Sequence, residues 1–313
     1  MQVEIPLRPR LRLGRGPRSY AAQSLTPMPR GACLPGRGTI GAMLSRLLHL
    51  GHPIFLARHR YLVVQMVRRE IMARYQGSVL GASWGLLSPL LILAAYTFVF
   101  RTVFKARWPG GSDSTSEFVL QMFAGLLIFN LFSEVLTRAP RLVLEQPNLV
   151  KRVVFPLETL SWVAVGAVMF NAAIALAILL AATVGLGSHL TPWVLATPLV
   201  LACTVPVLLG FCWLLSGLGV FLRDIGHVVG PAVSLLLFVS PVLYPTSALP
   251  AFLADLLWLN PLTFPIEALR GLVLKGTPPD WGALASYTAL GLVFAFAAHR
   301  LFERIRPAFA DEV

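Results

Sequence analysis

Residues able to do chemistry are few in this chain, and their spacing excludes more than it supports. The lysines are Lys105, Lys151 and Lys275, none preceded by glycine, so the sequence lacks the G-x-x-x-x-G-K-[ST] loop that cradles nucleotide phosphates. The cysteines Cys33, Cys203 and Cys212 show no paired ligand spacing, and the last two lie in uncharged sequence, where they read as inert thiols. His189 and His227 have no Cys, His, Asp or Glu neighbour at ligand spacing; they read as interface anchors, and no metal or cofactor is expected in this chain.

The charges that do cluster sit beside long apolar runs. Arg68, Arg69, Glu70 and Arg74 are followed by 26 residues, Tyr75 to Phe100, without Asp, Glu, Lys or Arg. About 20 apolar residues cross the roughly 30 Å hydrocarbon core, and an ionised side chain at mid-depth costs roughly 2.5–3.5 kcal/mol on insertion scales. The pattern reads as a cytoplasmic helix running into a membrane span. With 56% hydrophobic and 13% charged residues, against about 25% charged in soluble domains, the chain is an integral membrane protein. Its net charge of +12 would suggest nucleic acid in a soluble chain; here it reads as arginine flanking apolar spans, and no nucleic-acid partner is expected.

The elements that hold these groups follow from the charge-free intervals. The expected fold class is all-α integral membrane, with six transmembrane helices at about 83–103, 118–136, 159–184, 193–221, 226–245 and 281–299 in a domain covering 83–306. The interval Thr159 to Leu222 is 64 residues without Asp, Glu, Lys or Arg and suits two spans joined by a turn at Gly185, Gly187, Ser188, His189, Thr191 and Pro192. Glu134, within the second span, must lie near an interface or face protein. Residues 51–82 are expected to form an N-terminal amphipathic interface helix along the inner leaflet, turning inward at Gly77 to Gly81. There Val63, Val67, Ile71 and Tyr75 recur at four-residue spacing, Arg74 intrudes on that stripe, and Glu70 with Arg74 makes an i,i+4 pair. Residues 1–50 read as a basic, disordered extension, or as sequence ahead of a start at Met28 or Met43; 307–313 reads as a cytoplasmic tail.

Between the fifth and sixth spans, Pro250, Pro261, Pro265, Pro278 and Pro279 interrupt an otherwise apolar stretch. Re-entrant helices at the outer interface are expected, since irregular backbone at membrane depth is tolerated only where protein or a cavity covers it. Thirteen Lys and Arg flank the spans on one side and five on the other, which assigns both termini to the cytoplasm. The span interiors hold no ionisable residue apart from Glu134, which disfavours a gradient-driven carrier and a membrane hydrolase or transferase. Two cytoplasmic loops, Ala139 to Glu158 and Leu222 to Ile225, are candidates for docking another protein through a short helix ended by Pro147 or Pro156; the alternative is an ordinary solvated basic loop.

Four ordered motifs now stand out. They are Arg68-Arg69-Glu70 with Arg74-Tyr75, Leu80-Gly81, Trp84-Gly85 and Ser88-Pro89; Asn148 to Arg152 with Phe155-Pro156; Leu222-Arg223-Asp224-Ile225; and Asn260-Pro261-Leu262-Thr263 with Glu267-Ala268 and Arg270. Over residues 55–306 the chain resembles the permease subunits of type-2 ATP-binding-cassette exporters, specifically those for O-antigen, capsular or teichoic polysaccharide. Glu70, Ser88 and Leu157 depart from that pattern, where Asp, Gln and a basic residue are usual. The resemblance implies a homodimer in the bacterial inner membrane that encloses a channel for a polysaccharide or lipid-linked glycan. Two copies of a separate ATPase would bind the ATP and Mg, and this chain would catalyse nothing.

The resemblance also assigns roles. Pro147, Asn148, Leu149, Val150, Lys151, Arg152, Phe155 and Pro156 would form the ATPase-coupling loop, with Arg223 and Asp224 in a second cytoplasmic loop. Arg68, Arg69, Glu70 and Arg74 would rest against the same ATPase and lipid headgroups. Residues 248–275, with Asn260, Pro261, Glu267 and Arg270, would be the outer re-entrant segment. Since aromatic rings stack on sugars, Phe98, Phe123, Phe129, Phe132 and Tyr244 are candidates to line the channel. A drug or lipid exporter permease of the same superfamily is the alternative. A membrane-embedded enzyme acting on lipid-linked sugars, using outer carboxylates such as Asp255, Glu267 and Asp280, is the alternative of another class.

Overall fold

The computed structural model describes residues 52–75, 84–103, 115–150, 155–185, 191–246, 257 and 259–312. The expected N-terminal extension, the turns at 77–81 and 187–189, Lys151, Arg152 and residues 248–256 lie outside them. Among the described residues every regular element is helical, as the long charge-free runs require, because a helix satisfies its own backbone where water cannot. In chain order they are α1 His52–Tyr75, α2 Trp84–Thr97, α3 Thr115–Arg138, the single turn α4 Pro147–Val150, α5 Glu158–Gly185, α6 Thr197–Phe221, α7 Ile225–Val239, α8 Thr263–Arg270, α9 Trp281–Ile305 and the short α10 Phe309–Glu312.

Among the described residues four stretches are long and apolar enough to cross a membrane: Ser116–Arg141, Glu158–Gly185, Pro192–Phe221 and Trp281–Ala308. The expected first and fifth spans are shorter apolar helices. α2 continues as a π turn, Phe98–Val103. α7 stops at Val239 instead of running to 245; at 15 residues and 1.5 Å per residue it is too short for the hydrocarbon core alone. Its end falls just ahead of Pro241, whose missing N–H cannot continue a helix.

The core sits where α3, α5, α6 and α9 meet, around Met122, Ile128, Phe132, Leu208, Trp213 and Phe302. The Phe211 and Phe294 rings join α6 to α9 at 4.9 Å, and Trp213 meets His299 edge-on at 4.8 Å. Gly219 allows the 139–141 turn to lie directly on α6: a Cβ there would stand 2.2 Å from the Pro140 carbonyl oxygen. By contrast Leu91 and Phe98 on α2, Val228, Leu235 and Phe238 on α7, and Leu290 and Val293 on α9 are exposed, as suits elements facing lipid or another protein.

Candidate functional site

α1 packs on α5 through Val63, which is buried, and Val67, which abuts Gly166. The expected Glu70–Arg74 pair within α1 is replaced by two pairs that cross to α3: Arg74 with Glu134, and Arg138 with Glu70. The physical reason is that α3 brings Glu134 and Arg138 alongside α1, so each charge meets an opposite one on the neighbouring helix. Glu134 therefore faces protein, as its position in a span demands. Arg68 and Arg69 stay exposed. A cleft of about 900 Å³ separates α1 from the 138–157 loop, with Arg69, Arg141, Glu145 and Leu149 on its walls.

The loop does carry a short helix, α4, but Pro147 opens it and does not end it, consistent with the preference of proline for the first helical position, where no N–H is needed. Pro147 and Asn148 are exposed and Leu149 is half-buried. Beyond the undescribed Lys151 and Arg152 the chain is held firmly: Arg306 donates to the Phe155 carbonyl at 2.9 Å and to Glu158 at 2.5 Å, and Thr159 donates to the Pro156 carbonyl at 2.7 Å. Glu158 is buried, so Arg306 supplies the countercharge it needs. Arg223 and Asp224 sit exposed in the α6–α7 turn, and Arg141 approaches Gly226, so the roots of the two loops are neighbours.

On α8, Arg270 is 1% exposed. Its guanidinium donates to the carbonyls of Gln121 (3.0 Å), Pro241 (2.7 Å) and Val242 (2.9 Å) and to Glu267 (3.0 Å). It thereby ties α8 to α3 and to the chain just past α7, giving the buried carbonyls of Pro241 and Val242 a donor. The Asn260-Pro261 motif is equally anchored. Asn260 donates to Ser240 (2.8 Å) and accepts from the Leu262 N–H (2.9 Å), while Tyr287 on α9 donates to the Pro261 carbonyl (2.9 Å). After α8 a π turn, Gly271–Lys275, ends at Gly276 in the left-handed region.

The candidate channel aromatics divide. Phe98 is exposed, but Phe123, Phe129 and Phe132 are 2%, 8% and 0% exposed. They pack within the core between α3 and its neighbours, and Phe123 also borders a cleft between α2, α3 and α5. The Tyr244 hydroxyl is spent on the end of α7, donating to the carbonyls of Phe238 (2.9 Å) and Val239 (3.0 Å).

A second cleft, of about 470 Å³, opens between α2, α3 and α5. Trp84, Ser88 and Pro89 border it, so the opening motif of the first span faces a cavity, and polar Asn130, Ser133 and Asn171 line it deeper in. Sequence reasoning passed over both asparagines, although an amide in a long apolar run is itself a signal. It also missed Gln121, Gly125, Ser240, Tyr287 and the Glu158–Arg306 pair, whose partners lie far apart in sequence.

These features define a multi-pass helical membrane protein with braced inter-helix loops. The chain belongs to the ABC-2 type transporter family, which it matches over residues 61–274. It is 29% identical over 260 residues to the O-antigen export system permease protein RfbA of Myxococcus xanthus, covering 82% of this chain and 97% of that one. Two proteins of the same name from Klebsiella pneumoniae are 24% and 23% identical over 252 residues, each alignment covering 80% of this chain and 94% of the relative.

Proposed function

We propose that this chain is the membrane-spanning subunit of an ATP-driven exporter that moves a polysaccharide or lipid-linked glycan across the inner (cytoplasmic) membrane. The observation that carries the reading is its near-full-length similarity to three proteins named as O-antigen export permeases. In this reading two copies of the chain pair, and α2 and α7 supply the first and fifth of six crossings. α8 and its π turn dip in from the outer face, and both termini are cytoplasmic. The turn Pro147–Val150, exposed at Pro147 and Asn148, docks on a separately encoded ATPase, present in two copies, which binds the ATP and Mg. Support comes from the bracing of Phe155 and Glu158 by Arg306, which would pass a push on the loop into α5 and the end of α9.

The test is co-purification. The tagged full chain should bring down a separately encoded ATPase, and deleting Pro147 to Arg152 should abolish the association while membrane insertion is retained. Loss of surface glycan in cells lacking the chain completes the test; undiminished surface glycan would overturn the reading.

A further inference from the structure

We infer that a third cleft, between α6, α8 and the start of α9, binds a primary ammonium group carried on a hydrocarbon chain, with Asp280 and Glu267 as its charged partners and Thr263 as a hydroxyl partner. The inference goes beyond the exporter reading and does not depend on it.

Position comes first. Asp280, Ala283 and Leu284 border the cleft at the start of one membrane-crossing stretch, Trp281–Ala308, and Val200 borders it near the start of another, Pro192–Phe221. Trp193 and Trp281 stand at those two starts, 41% and 56% exposed, and surface tryptophan at the end of a span marks the headgroup level of the bilayer. The cleft has a volume of about 390 Å³, within the range of ligand sites.

Charge then narrows the ligand. Glu267 and Asp280 are the charged residues bordering the cleft, with no lysine or arginine beside them. Asp280 makes no ion pair among the described residues; one of its oxygens caps α9 by accepting from the Ala283 N–H at 3.0 Å, and a carboxylate keeps further acceptor sites. Glu267 meets Arg270 through Oε1 at 3.0 Å. Thr263 supplies the independent sign of a missing partner: it is buried, it borders the same cleft, and its hydroxyl has no hydrogen-bond partner among the described residues. A buried hydroxyl in that condition costs stability until something bonds to it.

Oxygen acceptors with a net negative charge select a cation that donates hydrogen bonds. Among the described residues no group of three His, Cys, Asp or Glu gathers to hold a metal ion, and the rest of the wall, with Val200, Phe264, Leu272 and Leu284, suits hydrocarbon. A primary ammonium has three N–H donors, matching in number the two carboxylates and the hydroxyl. The headgroup of an aminophospholipid and a free alkylamine share this chemistry.

The experiment titrates the full chain, purified in dodecyl maltoside, with octylammonium chloride and with dioctanoylphosphatidylethanolamine, read by calorimetry. Octanol and dioctanoylphosphatidylglycerol are the counterparts without an ammonium. Saturable binding of at least one ammonium ligand is expected, about tenfold or more tighter than its counterpart, as a charge-assisted hydrogen bond implies. Binding of the phospholipid alone assigns the site to a lipid headgroup, of octylammonium alone to a free amine, and of both to the ammonium as such. Asp280→Asn keeps an oxygen for the α9 cap and should weaken binding about tenfold, while Glu312→Gln, an exposed carboxylate on α10, should leave it unchanged. Thr263→Val should weaken binding about threefold without lowering the unfolding midpoint of the ligand-free chain, since its hydroxyl has no bond there to lose; it is the deciding variant if Asp280→Asn does not accumulate. Non-saturable binding, equal affinity for ligand and counterpart, or wild-type affinity in Asp280→Asn or Thr263→Val would each overturn the assignment.

Discussion

Gly125 on α3 lies directly beneath the guanidinium of Arg270 on α8: a Cβ built on Gly125 would stand 2.8 Å from Nη2 of Arg270 and 3.1 Å from Cα of Val242. The glycine is what allows a buried arginine to reach three carbonyls at once. Gly125→Ala should therefore shift Arg270 and lower stability by about 1–3 kcal/mol, the usual cost of overpacking. Arg270→Met should cost more, because it strips donors from the carbonyls of Gln121, Pro241 and Val242 and leaves Glu267 without its cation. Thermal unfolding of the detergent-purified chain checks both. Equal stability of Gly125→Ala and wild type would show that the contact relaxes freely.

The anchoring of Asn260 and Pro261 predicts a graded series. Tyr287→Phe removes one hydrogen bond to the Pro261 carbonyl and should cost about 1 kcal/mol. Asn260→Ala removes two, to Ser240 and to the Leu262 N–H, and should cost about twice that, whereas Asn260→Asp retains the bond from Leu262. Amide exchange at Leu262 and Thr263, read by mass spectrometry, should rise in Asn260→Ala and stay close to wild type in Tyr287→Phe.

Much of this architecture is legible in the sequence, and the reason is solvent. Hydrocarbon penalises charge so heavily that the apolar runs of α3, α5, α6 and α9 stand out as stretches poor in charge, with glycine and proline marking the turn between α5 and α6. What crosses between helices is not written that way. Glu70 and Arg74 satisfy the i,i+4 rule on their own helix, and only the packing of α1 against α3 offers them Arg138 and Glu134 instead. Arg270, flanked by apolar residues, reads as an interface cation, because its acceptors are backbone carbonyls 28 to 149 residues away. The aromatics of α3 are hard to place from sequence for a related cause. An apolar ring carries no mark that separates a core position from a lumen position.

The crossed pairs between α1 and α3 predict a charge-swap result. Each side chain is 22–35% exposed, so each pair should contribute no more than about 1 kcal/mol. Glu70→Arg should be destabilising, through repulsion with Arg138, and Glu70→Arg with Arg138→Glu should recover most of the loss. Glu70→Arg with Arg74→Glu, which would rescue a pair within α1, should not. Unfolding midpoints of the three variants at low salt, where screening is least, decide between the cross-helix and within-helix arrangements.

Arg306 supports a last prediction, which separates stability from coupling. It bridges the C-terminal end of α9 to Glu158 and to the Phe155 carbonyl, and Glu158 is 4% exposed. Arg306→Met would leave that carboxylate buried without its cation, and an uncompensated buried charge commonly costs about 3–5 kcal/mol. Part of this can be avoided by neutralising both partners. Arg306→Met with Glu158→Gln should recover most of the stability, yet the Phe155 carbonyl would still lack its donor and the end of the 138–157 loop would stay loosened. Amide exchange over 157–160 should therefore remain raised in the double variant while its unfolding midpoint returns toward wild type. If both return together, the role of Arg306 is charge compensation alone. If exchange stays high and association with the proposed ATPase weakens with it, the strap from Arg306 to Phe155 is what holds the loop in its docking geometry.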